Sequence, residues 1–153
     1  MQKLFEDYLK CLKGLHKDIK MIIEGLPQPA LDWIPGSDMN SLSMIVAHVA
    51  GSERYFIGDI VTKEPSGRDR DAEFRTQGID PAELNERLDN SLEYIRQVLE
   101  RFSIEDLETP CVSPRDGRTY TAGFFLFSMV GHVASHLGHA QITRQMWEQH
   151  SKE

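Results

Sequence analysis

Four stretches of this sequence space their apolar residues three and four positions apart, and that rhythm constrains the fold more than any other feature. In residues 2–26 the series is Leu4, Phe5, Tyr8, Leu9, Leu12, Leu15, Ile19, Ile22, Ile23 and Leu26, one face of an α-helix. Gly25, Pro27 and Pro29 end it. After a loop carrying Trp33, Pro35, Gly36 and Ser37, either Asn40 or Ser41 suits an N-cap. Leu42, Ile45, Val46, Val49, Phe56 and Ile60 then form the inner side of a second helix. Asp80-Pro81-Ala82-Glu83 joins a capping carboxylate, a proline at the first helical position and a glutamate that reaches back. The third helix follows with Leu84, Leu88, Leu92, Ile95, Leu99 and Phe102 on its inner face. Thr121 caps a fourth helix that runs to Gln149. Phe124, Phe125, Leu126, Phe127, Met129, Val130 and Val133 surround much of its first half, which predicts deep burial. Four such segments joined by loops indicate an all-α four-helix bundle.

The connections differ in character. Residues 62–80 carry Lys63, Glu64, Arg68, Asp69, Arg70 and Asp71 and read as a long solvated loop after helix two. Before helix four, Asp116-Gly117 is a turn signal, and Cys111-Val112 with Thr119-Tyr120 can flank it as a short hairpin. No repeat or linker divides the 153 residues, so residues 1–153 are expected to form one domain. A domain of that size buries roughly 68–70% of its unfolded surface and needs no disulfide or structural metal. With only Cys11 and Cys111 and no CxxC, a reduced, cytoplasmic setting is expected, with both thiols passive. The net charge of −7 argues against a nucleic-acid partner. No signal peptide is apparent in residues 1–25, and the longest apolar run, Ala122–Gly131, falls short of the ~20 residues that span a bilayer. The expectation is a soluble protein with no membrane partner.

Six histidines stand out in so acidic a chain, three of them within Gly131–Gln141. On a helix, His136 lies about 40° from His132 and His139 about 20° to its other side, so all three share one stripe. An i, i+4 imidazole pair can share a metal, with a third ligand from another helix. His48, mid-helix at the edge of the Ile45–Val49–Phe56 stripe, is the natural third. A buried imidazole needs a partner, and a metal is one; hydrogen-bonded core histidines in a structural dimerisation module are the other reading. Neutral imidazoles without thiolate suit Zn²⁺, Ni²⁺ or Fe²⁺. Ser52 and Tyr55 share the face of His48, and Arg144, eight residues beyond His136, is placed to meet an anionic substrate, although all three read more readily as structural. Glu53 and Arg54 point away and fit an interhelix salt bridge. Trp33 and Trp147 read as packing residues, and His16 and His150 as surface residues.

Three segments carry a resemblance to a known family. Leu31-Asp32-Trp33-Ile34-Pro35-Gly36, the run His48-Val49-Ala50-Gly51-Ser52-Glu53-Arg54-Tyr55-Phe56, and His132-Val133-Ala134-Ser135-His136-Leu137-Gly138-His139-Ala140-Gln141 resemble, in this order, the motifs of the DinB/YfiT-like superfamily of metal-dependent enzymes. The resemblance covers nearly the whole chain. It implies a four-helix bundle in which His48, His132 and His136 bind a divalent metal, and it implies a homodimer. His139 matches an ending found in the mycothiol-dependent maleylpyruvate isomerase branch, as a pocket-lining residue or substitute ligand, but the acid of that ending is Gln141 here. Characterised members include S-transferases that use low-molecular-weight thiols such as bacillithiol or mycothiol; others have been proposed as hydrolases. A metal can hold a thiol as its nucleophilic thiolate, and zinc can lower the pKa of bound water to about 7. The resemblance therefore implies a small-molecule substrate and thiol-dependent S-transfer. Hydrolysis with metal-bound water, or a non-catalytic metal-binding stress protein, is the alternative.

Overall fold

A computed structural model describes residues 1–152. Four long helices dominate it: α1 (Lys3–Ile23), α2 (Leu42–Tyr55), α3 (Pro81–Arg101) and α4 (Ala122–His150). Each begins or ends where local chemistry dictates. Ser41, rather than Asn40, caps α2 by accepting from the Met44 amide; Asp80 accepts from Ala82 and Thr121 from Phe124. α1 stops at Ile23, a little earlier than its apolar series suggests, and Gly25 takes φ +71°, a left-handed conformation that favours glycine. α2 continues into a π-helical stretch, Phe56–Thr62, closed by Lys63 at φ 61°.

α2 packs against α3 and α4, and α1 packs against the same two helices. α1 and α2 therefore stand on one diagonal of the bundle and α3 and α4 on the other. The connection from α1 to α2 crosses that diagonal through a short helix, Gln28–Leu31, with Ala30 and Leu31 fully buried. Leu12, Ile19 and Ile23, Val46 and Val49, Leu88 and Ile95, and Met129 and Val133 meet in the core. The expected hairpin forms as β1 (Pro110–Val112) paired antiparallel with β2 (Thr119–Thr121), with Cys111 opposite Tyr120.

Three expectations are corrected. α4 is not buried on all sides: Phe125, Leu126, Met129 and Val133 are buried, but Phe124 is 46% and Phe127 66% exposed. A helix on a bundle corner touches two neighbours and leaves the rest of its circumference outside. Next, His16 is a core residue, only 2% exposed. It sits between Leu12 and Ile19 on the inward stripe of α1, where position outweighs polarity. Its Nε2 lies 2.7 Å from Glu53 on α2, and the other carboxylate oxygen of Glu53 accepts from Ser91 on α3 at 2.5 Å. Glu53 thus bridges helices as its position on α2 suggests, through a histidine assigned to the surface. Arg54 instead lies over the Tyr94 ring, 3.3 Å from its centroid. Finally, the segment between α2 and α3 is not uniformly solvated, since Arg70–Glu73 forms a helical turn and Glu73 is buried.

Among the described residues no helix is long and apolar enough to cross a membrane.

Candidate metal centre

α2 and α4 lie side by side, so the inward stripe of one faces that of the other. His48 on α2 meets His132 and His136 on α4 there, with ring centroids 5.2 and 4.7 Å away, while the two α4 rings stand 4.5 Å apart. One nitrogen from each ring lies within 4.8 Å of the others. The i, i+4 spacing sets the α4 pair, and helix packing supplies the third ring.

Electrostatics keep the two α4 imidazoles neutral. Burial, then the neighbouring His48, pushes the pKa of His132 down to about 4; burial and the surrounding histidines push His136 down to about 4 as well. His132 Nε2 and His136 Nδ1 are buried without a hydrogen-bond partner. Orphaned buried nitrogens are costly, and a cation facing neutral imidazoles would satisfy them. The titration also predicts a pH effect on the metal-free protein. In the unfolded chain these rings protonate near their ordinary 6.5, so the unfolded state takes up protons first as pH falls. Stability from keeping them neutral is complete above pH 6.5 and is lost as pH drops toward about 4. Urea midpoints at pH 7.5 and pH 5 check this, and the doubly substituted His132→Gln, His136→Gln protein should show a smaller difference between them.

Two residues absent from the sequence-based site stand behind His48. Its Nδ1 lies 2.9 Å from Glu73 Oε2. Arg68 approaches the same carboxylate with Nε at 2.5 Å and Nη2 at 2.7 Å, and donates to Ser52 Oγ at 3.0 Å. Burial alone would raise the Glu73 carboxyl, but hydrogen bonds from Arg68 and His48 outweigh it and hold the pKa below the usual range. The Arg68 guanidinium also lies 5.3 Å from the Tyr55 ring centroid. Ser52 and Tyr55 therefore share the side of His48, as their spacing predicts, and engage Arg68. Nothing in the charged run around Arg68 marks Glu73 as buried. The one local signal is Asp69, which accepts from the Ala72 amide and caps the turn that carries Glu73 inward.

Other candidates are placed elsewhere. His139 is exposed at the margin, its ring 5.3 Å from that of His136, and Gln141 is exposed. Arg144 does not reach the centre: it donates to the carbonyls of Met21 and Ile22 at the end of α1 and pairs with Glu148. Trp33 packs on Trp147 with centroids 5.8 Å apart, and the exposed His150 stacks on Trp33. Cys11 is exposed, and burial raises the pKa of the enclosed Cys111 thiol. A cavity of about 360 Å³ opens beside His132, walled by Phe56, Tyr120, Phe125 and Met129 with Arg115 contributed by the hairpin turn; neither cysteine lines it.

No curated protein matches the sequence. Solved structures share its fold. A conserved protein from Enterococcus faecalis superposes with a TM-score of 0.81 at 14% identity, over 95% of this chain and 98% of that one. YfiT from Bacillus subtilis, a probable metal-dependent hydrolase with an unusual four-helix bundle topology, gives 0.75 at 16% identity, over 97% and 90%. A mycothiol-dependent maleylpyruvate isomerase gives 0.67 at 15% identity, over 89% of this chain and 60% of that one. The sequence profile of the DinB superfamily matches residues 12–140, and the chain belongs to that superfamily.

Proposed function

We propose that His48, His132 and His136 bind one divalent metal ion (Zn²⁺, Ni²⁺ or Fe²⁺) and that the protein is a metal-dependent enzyme catalysing low-molecular-weight-thiol-dependent S-transfer. The observation that carries the metal reading is the convergence of three imidazoles with two buried nitrogens left unpartnered. Three neutral nitrogen donors leave positions open for other ligands. A metal bound there supplies Lewis acidity, which favours the thiolate form of a thiol.

The chain itself supplies the surroundings. Phe56, Tyr120, Phe125 and Met129 accept the apolar part of a small substrate and exclude water beside His132. With no cysteine in that cavity, the sulfur nucleophile is assigned to a bound thiol such as bacillithiol or mycothiol. Its proton passes to solvent, and as the sulfur bonds to an electrophilic carbon the bond from that carbon to its leaving group breaks, the group (halide in the assay below) departing to solvent with the electron pair. The fold shared with the mycothiol-dependent isomerase supports this chemistry, and the fold shared with YfiT supports hydrolysis as the second reading. A homodimer in the cytoplasm belongs to the same proposal; the exposed Phe124 and Phe127 on α4 are compatible with a covered face.

Metal analysis of protein purified in the presence of zinc tests the centre. About one ion per chain is expected for the wild type and less than a tenth of that for His48→Ala; equal content in both overturns it. Bacillithiol, mycothiol and glutathione are then offered with an electrophilic halide. Thioether formation by the loaded wild type alone supports transfer, whereas ester cleavage without thiol consumption supports hydrolysis.

A further inference from the structure

We infer that Glu73 is a positioning residue for the metal centre: its carboxylate holds His48 with the proton on Nδ1, which leaves Nε2, whose one other contact is Ser52 Oγ at 3.4 Å, as the bare nitrogen available to the centre. This rests on the three-histidine reading above.

A lone histidine on a helix has two tautomers and can flip its ring. A metal can use it only when one nitrogen is bare and aimed inward, which is why ligating imidazoles bond a carboxylate or carbonyl through the other nitrogen. Here that acceptor comes from outside the bundle, on the segment joining α2 to α3. Glu73 Oε2 stands 2.9 Å from His48 Nδ1. The two-pronged contact from Arg68 keeps the carboxylate ionised. An ionised carboxylate has no proton to donate, so Nδ1 must carry it. Arg68 Nη2 also comes within 3.3 Å of Nδ1, but its hydrogens are directed to Glu73 Oε2 and Ser52 Oγ, and a protonated Nδ1 offers it no lone pair.

Two further features suit a seat made for this carboxylate. A Cβ on Gly51, one helical turn along α2 from His48, would lie 2.1 Å from Glu73 Oε1, so only glycine leaves the space. Phe74, next to Glu73, packs against the His48 ring with centroids 4.9 Å apart and restricts its rotation. A carboxylate needed only to pair with Arg68 would require neither the open backbone of α2 nor the approach to Nδ1.

Nitrogen NMR of the full-length, metal-free protein labelled in histidine reads the tautomer without metal or activity. Wild-type His48 should show a protonated Nδ1 and a bare Nε2, and Glu73→Ala should show a mixture. Zinc affinity, measured by competition with a chromophoric chelator, should fall about 10–100-fold in Glu73→Ala. Glu73→Gln, whose amide oxygen still accepts from Nδ1, should recover most of it. Gly51→Ala, which displaces the carboxylate without removing it, should weaken binding as Glu73→Ala does. A wild-type His48 protonated on Nε2, or zinc affinity unchanged in folded Glu73→Ala and Gly51→Ala, overturns the inference. Wild-type protein that binds no zinc overturns the three-histidine reading instead, and the tautomer of His48 then still decides the part played by Glu73.

Discussion

Zinc at one hundred to one thousand times its dissociation constant should stabilise the folded protein by about 2.7–4.1 kcal/mol, because a ligand that binds only the native state shifts the unfolding equilibrium by mass action. For a chain of this size that corresponds to a rise in Tm of roughly 5–16 °C. The effect is large because the site exists only when α2 and α4 are packed: His48 is 84 residues from His132 in sequence, yet their rings stand 5.2 Å apart. In the unfolded chain only the His132–His136 pair stays close, and a metal held by it alone binds weakly. Differential scanning calorimetry with and without zinc measures the shift. His136→Ala removes one of the three proposed ligands and one of the buried orphan nitrogens, so its Tm should hardly respond to zinc. The same shift in wild type and variant would place the bound metal elsewhere, for instance on the exposed carboxylates.

Substituting Glu53→Ala should destabilise the bundle by on the order of 2–5 kcal/mol, the combined cost of an unmet buried polar partner and a large-to-small cavity. Glu53 has no solvent exposure, and its two oxygens serve different helices: Oε1 meets His16 of α1 and Oε2 accepts from Ser91 of α3. Its removal strands the His16 imidazole in the core, leaves the Ser91 hydroxyl only the Leu88 carbonyl, and opens a cavity between three helices. Each unmet buried donor costs about 1–3 kcal/mol. Urea denaturation of the metal-free proteins measures the change. The triple substitution Glu53→Leu, His16→Leu, Ser91→Ala replaces the whole network with apolar groups and should recover much of the loss. A decrease below 1 kcal/mol in Glu53→Ala would mean that water reaches the carboxylate and the network is not sealed.

These expectations draw unequally on sequence and structure. The four helices follow from apolar spacing and caps: Asp80-Pro81 starts α3 and Thr121 starts α4 where their chemistry indicates, because capping depends on neighbours within a few residues. His132 and His136 share a stripe for the same local reason. Polar residues inside such a stripe are where local reading fails. His16 occupies an inward position of α1 and is buried because Glu53 and Ser91 wait for it on other helices, a fact the α1 sequence does not contain. Phe127 errs in the opposite sense: its apolar character suggests burial, but it lies on the rim of a surface groove shared with Tyr8 and Cys11 of α1 and remains 66% exposed.

What the sequence alone determined, then, is the set of helices, the stripe holding two of the histidines, and the family motifs that single out His48. Periodicity and capping act within a few residues and can be read along the chain. Tertiary structure decided which stripes face each other, so that His48 meets the α4 pair, and it carried Arg68 and Glu73 from a polar connection to the back of His48. A contact across 25 residues, such as that of Glu73 with His48, depends on the route of the whole segment and on the space left at Gly51. Neither leaves a periodic trace in the order of the amino acids.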